Sequence, residues 1–141
     1  WGLAIHESFN SVVGQVAEVS MEKGQPKIHK IWAAVDCGLV VNPDGARCQV
    51  ESGIVFGLSA ALHQQIQIKG GKPVQSNFHD YPIMRLPDMP VVKVAFTASQ
   101  DRPTGLGEPG TPPAAPAVAN AIYRLTKKRL RTLPFSRELR S

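Results

Sequence analysis

Polar and apolar residues alternate in the second half of the segment Val12 to Met21. Ala17, Val19 and Met21 share one parity, and Glu18, Ser20 and Glu22 share the other. A period of two is that of a strand with one face buried. Glu22-Lys23-Gly24-Gln25-Pro26 is a turn cluster, and Lys27 to Val35 resumes as a β-rich run through Ile28, Ile31, Trp32 and Val35. Together the two runs predict a hairpin. Asp36-Cys37-Gly38 then leaves the strand, and the period changes after Asn42-Pro43. Asparagine caps free helix amides, and proline fits the first helical position, where no donor is needed. A helix is therefore predicted from about Asp44 to His63, with Val50, Ile54, Gly57, Leu58 and Ala61 on one stripe. Gly53, Gly57, Ala60 and Ala61 leave that stripe nearly flat. A glycine inside a helix costs about 1 kcal/mol relative to alanine, so a neighbouring backbone or a large ligand is expected to pass close by.

Further along, Gln65–Lys69 and Lys72–Gln75 flank Gly70-Gly71 and predict a second hairpin. Pro82, Pro87 and Pro90 make Asn77 to Pro90 irregular. Val92, Val94, Phe96 and Ala98 alternate in a strand predicted over Val91–Ser99. Gln100 to Pro113 is a glycine- and proline-rich loop, and a last helix is predicted over about Ala114–Lys128, burying Val118, Ala121, Ile122 and Leu125. Trp1-Gly2-Leu3-Ala4-Ile5 opens without a polar lead-in, as if the chain were entered partway through an element, and a fragment is expected. Strands and helices follow one another without a βαβ rhythm. The expected class is α+β: a mixed, largely antiparallel sheet with two main helices packed on it, forming a single unit over residues 1–141.

Composition agrees with a folded domain. The chain has 141 residues, 43% of them hydrophobic and 19% charged, which suits one globular core. The longest uncharged apolar run, Ser52 to Leu62, falls short of the roughly 20 residues that a membrane-spanning helix needs. The start shows no secretory-signal pattern. The net charge of +5 is confined to the tail, because Arg124 to Ser141 holds seven basic residues and one acidic, leaving the rest at −1. A basic helix end sits well beside the negative pole of the helix dipole. Nucleic-acid binding is therefore not expected, and the alternative use of the tail is to dock a partner.

Few residues offer chemistry. His6, His29, His63 and His79 lack the i, i+4 spacing of a helical metal site, and Cys37 and Cys48 are not a CxxC pair, so no protein-ligated metal is expected. Glu108, between Gly107 and Pro109, has a backbone that is bare on one side and stiff on the other, which suits a carboxylate aimed at a site. The plainer reading is a tight turn whose Glu108 faces water. Gln49, near the small-residue stripe, is either a solvated amide or one held at a crowded contact.

The order of these pieces carries a resemblance. Val35-Asp36-Cys37-Gly38, Asn42-Pro43, Gln49-Val50-Glu51-Ser52-Gly53, Gly57-Leu58 and Gly107-Glu108-Pro109 resemble the C-terminal part of the molybdopterin-binding subunit of the xanthine dehydrogenase/aldehyde oxidase family. Val55-Phe56-Gly57 and the run from Gly107 through Pro112-Pro113 to Asn120-Ala121-Ile122 look like the branch of isoquinoline 1-oxidoreductase β subunits and bacterial aldehyde dehydrogenases. Xanthine dehydrogenases commonly carry glutamine where Phe56 stands and a second proline where Gly110 stands, which counts against a purine substrate. The resemblance covers about Gly2 to Pro134. It implies that Glu108 matches the catalytic glutamate, the general base in water-derived oxidation of an N-heterocycle or aldehyde, and that Gln49 matches a glutamine contacting the pterin. It implies molybdopterin, in some members a dinucleotide, in the full-length enzyme, with none held by this fragment alone. The implied partners are the remainder of the subunit and a 2Fe-2S iron–sulfur subunit, in a bacterial cytoplasm or periplasm. A non-catalytic module that docks a partner through its basic C-terminal helix is the rival expectation.

Overall fold

In the computed structural model, which describes residues 1–139, the strands run β1 (Gly2–Ser8), β2 (Ser11–Glu22), β3 (Gln25–Asp36), β4 (Ile68–Lys69), β5 (Lys72–Pro73) and β6 (Val91–Phe96). The helices are α1 (Pro43–Leu62), α2 (Ala114–Thr126) and the single turn α3 (Ser136–Leu139), with a short 3-10 turn at Leu86–Asp88. The main sheet has the order β1-β2-β3-β6, in which β1/β2 and β2/β3 are antiparallel and β3/β6 is parallel. Two main helices lie on one face of this sheet, giving the α+β arrangement that the sequence predicts.

The alternation in β2 selects the covered face. Ser11, Val13, Gln15, Ala17 and Val19 are all buried. In β3 both Ile28 and Ile31 are buried although three positions apart, which a regular strand forbids. A bulge resolves this: Glu18 pairs with Lys30 but Val19 pairs with Ile28, so one extra residue of β3 resets its parity. Val50, Ile54, Leu58 and Ala61 of α1 and Ala117, Val118, Ala121 and Ile122 of α2 close the core over these strands. The α1 entry is capped as expected, with the Gly45 amide donating to Asn42 Oδ1 at 3.0 Å and Pro43 opening the helix.

Several boundaries differ from expectation. The opening residues belong to edge strand β1, where Leu3, Ala4 and Ile5 give no alternation to read. Its inward residues are Gly2 and Ala4, while Leu3 and Ile5 stand 63% and 69% exposed on the open face. A Cβ on Gly2 would overlap the α2 backbone at Ala117 and Ala121, so glycine lets β1 lie directly against that helix. The Asn120 amide donates to Leu3 O at 2.9 Å across the same contact. The second hairpin shrinks to two residues per strand around Gly70-Gly71. Strand β6 stops at Phe96, short of Ser99.

The last helix ends at Thr126, because Lys127 takes a left-handed conformation at φ 61° and closes the C-terminus. Leu125, expected on the buried face, is instead 50% exposed. This also corrects the basic C-terminal helix. Only Arg124 lies in α2 and Arg137 in α3, whereas Lys127, Lys128, Arg129 and Arg131 lie in the connection between them. Arg129 stacks on the Tyr123 ring at 3.6 Å, and Lys128 bonds the Glu138 carbonyl. Arg140 lies outside the described residues.

The far face of the sheet carries an open apolar patch beside Lys30 and Lys93. Trp1, 65% exposed, tilts against Trp32 with ring centroids 5.9 Å apart. A shallow apolar groove on this face is lined by Leu3, Gly14, Val16, Trp32 and Ala34. No helix of the described residues is long and apolar enough to cross a membrane.

Candidate functional site

Glu108 and Gln49, 59 positions apart in sequence, line one cavity of about 660 Å³. Three segments build it. The middle of α1 contributes Gln49, Ser52, Gly53 and Phe56, which at spacings of three and four form one stripe of a helix. The β1–β2 turn contributes Ser8 and Phe9, and the segment Gly107–Pro112 supplies Glu108. Phe9 holds a left-handed backbone at φ 55°, an uncommon conformation for a bulky residue, and is 61% exposed at the rim. Phe56 opposes it from α1 and is 65% exposed.

The glycine stripe of α1 meets the segment that carries Glu108, and Gly53 also lines the cavity. A Cβ on Gly57 would lie 2.6 Å from Thr111 O and 2.9 Å from the Ala114 Cβ, and one on Gly53 would lie 3.2 Å from Thr111 Oγ1. From the other side, a Cβ on Gly110 would lie 2.9 Å from Val50 O. Helix α1 and the segment carrying Glu108 therefore interlock through glycines on both partners, and Thr111 Oγ1 donates to Gly53 O at 3.0 Å across the seam.

Gln49 does more than face water. Its Nε2 donates to Gly107 O at 2.6 Å, so the amide grips the residue just before Glu108. The Thr111 amide donates to Glu108 O at 2.9 Å and closes a tight turn behind it. The Glu108 side chain is exposed at the cavity wall, and its carboxylate has no hydrogen-bond or ion-pair partner among the described residues. A carboxylate in that condition is free to receive a proton from whatever enters the cavity.

Sequence reasoning missed the residues that anchor this segment from the sheet. Ser11 Oγ donates to Gly105 O at 2.7 Å and shares a 2.6 Å hydrogen bond with Thr104 Oγ1. Gln15 Nε2 donates to Gly110 O at 2.7 Å. The signal was available, because Ser11 and Gln15 are polar residues on the parity that β2 buries. Cys37 is buried, and burial, with Asp36 beside it, pushes its thiol up from the ordinary value, which suits a core residue rather than a nucleophile. No group of three or more His, Cys, Asp or Glu gathers as a metal site among the described residues.

The wall suits part of a molybdopterin. Gln49 offers an amide, Ser8 Oγ is buried without a partner, and Glu108 offers a free carboxylate, a set matched to the hydrogen-bonding edge of a pterin and to a reacting centre. The lining contains no lysine or arginine, so this wall provides no cation for a phosphate.

Comparisons with known proteins agree with this architecture. Residues 6–90, more than half of the chain, match the family model described as the molybdopterin cofactor-binding domain, a span that includes Gln49 but ends before Glu108. The β subunit of isoquinoline 1-oxidoreductase from Brevundimonas diminuta is 37% identical over 135 residues, 94% of this chain and 17% of that protein. A membrane-bound aldehyde dehydrogenase from Gluconacetobacter polyoxogenes, whose name carries pyrroloquinoline quinone, is 40% identical over 121 residues, 84% of this chain and 16% of that protein. The crystal structure of quinoline 2-oxidoreductase from Pseudomonas putida 86 shares the fold with a TM-score of 0.82 at 22% identity, over 93% of this chain and 18% of that one. The chain thus spans less than one fifth of the length of these relatives. With the fold shared and the family model covering β2, β3 and α1 entire, the chain belongs to the molybdopterin cofactor-binding domain family.

Proposed function

We propose that this chain forms one wall of the active site of a molybdenum hydroxylase, with Glu108 as general base and Gln49 as a cofactor contact. The observation that carries the reading is the meeting of Gln49 and the Glu108 turn at one cavity, joined by the 2.6 Å hydrogen bond to Gly107 O. Bound molybdopterin would supply the two-electron redox chemistry, which no side chain of this wall can provide. The chain's own task is placement. The interlocked glycines hold the main chain of the Glu108 turn against α1, and from there the carboxylate would take a proton from a water-derived oxygen nucleophile as that oxygen attacks an electron-poor carbon. Gln49, with its Nε2 committed to Gly107, would use its carbonyl oxygen to accept from the cofactor. The lining is largely apolar, with Phe9 and Phe56 at the rim, and this suits an N-heterocycle or an aromatic aldehyde better than a highly polar purine. Electrons would leave through a 2Fe-2S subunit, and the remainder of the molybdopterin-binding subunit would supply the other walls. The rival docking module loses its main support, since the basic residues do not form a helix face.

The test uses the intact enzyme with its partner subunit, isoquinoline as the probe and an artificial electron acceptor in water enriched in oxygen-18. Turnover with the label in the product and one molybdenum per active site is the expected result. Unlabelled product, or full turnover from protein holding pyrroloquinoline quinone and no molybdenum, overturns the reading.

The 141-residue chain purified alone should hold no stoichiometric molybdenum, because its single wall lacks any cation for a phosphate. Elemental analysis checks this. A one-to-one molybdenum content would mean that this wall suffices to bind the cofactor.

A further inference from the structure

Gln15 is the largest polar side chain in the core, fully buried in the middle of β2 between Val13 and Ala17 on the covered face and paired with Ala33 of β3. Burying an amide is unfavourable unless its hydrogen-bonding groups are satisfied. Gln15 satisfies only half of them: Nε2 donates to Gly110 O at 2.7 Å, while Oε1 has no partner. An apolar side chain of similar size would fill the same space without that penalty, so packing alone does not account for a glutamine here.

Its target explains the choice. The segment from Thr104 to Thr111 lies outside any helix or strand, and the carbonyls of Gly105, Gly107 and Gly110 are each taken by a side chain from elsewhere in the fold. Ser11 takes the first from the start of β2, Gln49 the second from α1, and Gln15 the third from the centre of β2. Gly110 is two residues beyond Glu108 and inside the turn closed by the Thr111 amide on Glu108 O. Of the three anchors, only the Gln15 bond is wholly buried, and a buried hydrogen bond is neither screened nor exchanged with water. Gln49 stands in the cavity, where a cofactor can compete for it, whereas Gln15 approaches the turn from behind.

We propose that Gln15 is a positioning residue that fixes the Glu108 turn to the sheet, setting where the carboxylate sits while touching neither substrate nor cofactor. The inference rests on the reading of Glu108 as the base. A misplacement of about 1 Å at a reacting group is enough to cost on the order of 100-fold in rate.

The experiment uses the intact, cofactor-loaded enzyme carrying Gln15→Met, which keeps the volume and removes the donor. Hydrogen exchange at the amides of Gly107, Glu108, Gly110 and Thr111 should quicken, and kcat per molybdenum should fall about tenfold or more with KM within about twofold of the parent. In a Glu108→Gln background, Gln15→Met should cause no further loss, because the group it positions is already gone. A merely structural role predicts lower thermal stability and lower cofactor content, with unchanged kcat for the molecules that remain loaded. That result overturns the proposal, as does an equal fractional loss in both backgrounds. If Gln15→Met protein fails to accumulate, Gly110→Ala displaces the same carbonyl from the Val50 side and should give the same kcat-specific loss, its absence counting against the proposal. A Glu108→Gln enzyme with parental turnover would instead defeat the reading of Glu108, and quickened exchange in Gln15→Met would still report the anchor.

Discussion

Glu108→Gln in the intact enzyme should reduce turnover by about 10²–10⁴-fold, the ordinary effect of removing a general base, while molybdenum content stays at the parental level. Glutamine has nearly the shape of glutamate, and the turn that carries it is held by main-chain and neighbouring groups rather than by the carboxylate. The Thr111 amide bonds Glu108 O, Gln49 bonds Gly107 O, and Gln15 bonds Gly110 O, and none of these involves the Glu108 side chain. The substitution therefore removes the proton acceptor and leaves the wall in place. Mixing the variant anaerobically with substrate should leave the iron–sulfur absorbance unbleached, and dithionite should still bleach it, because reduction from outside does not need the base. Full metal content with near-parental bleaching by substrate would make Glu108 a turn residue and place the base outside this chain.

Gly57→Leu should destabilise the protein by more than about 2 kcal/mol, read as a fall in the thermal or denaturant midpoint. The first atom of any side chain at this position would already sit 2.6 Å from Thr111 O and 2.9 Å from the Ala114 Cβ. Both belong to backbone or to the start of a helix, so neither can swing aside as a flexible side-chain tip would. Leucine adds three more carbons to the same seam and must push α1 away from the Glu108 segment. Activity should fall along with stability, since the same seam sets the cavity. An unchanged midpoint would mean that α1 and the 107–114 segment separate easily, and the account of the glycine stripe would fail.

Local pattern made part of this protein legible from its sequence. Alternation in β2, the Asn42-Pro43 entry to α1 and the proline density after Asn77 are consequences of neighbours within a few residues, and the structure follows each of them. The flat stripe of α1 also announced a close approach. What approached was open to two readings, because glycines at 53 and 57 are the same whether a cofactor or a backbone presses on them. Edge strand β1 was not delimited by pattern, since Leu3, Ala4 and Ile5 are apolar in succession and show no alternation before His6, Glu7 and Ser8. Leu125 continued the helical stripe in sequence, yet it is 50% exposed in the last turn of α2, one residue before the helix ends.

The residues of the candidate site divide in the same way. Glu108 stood out by its flanking Gly107 and Pro109, and Gln49 by its place in a motif, because both depend on the residue types beside them. Their meeting across 59 positions depends on how β2, α1 and the loop before α2 stack, and that is a property of three-dimensional packing alone. Gln15 shows the division most sharply. Its burial follows from the period-two rule applied to β2, so the sequence by itself determines that an amide lies inside the core. Which carbonyl that amide finds, 95 positions away at Gly110, only the tertiary structure decides, because a hydrogen bond requires two groups to arrive within about 3 Å and no local pattern encodes the arrival of the second.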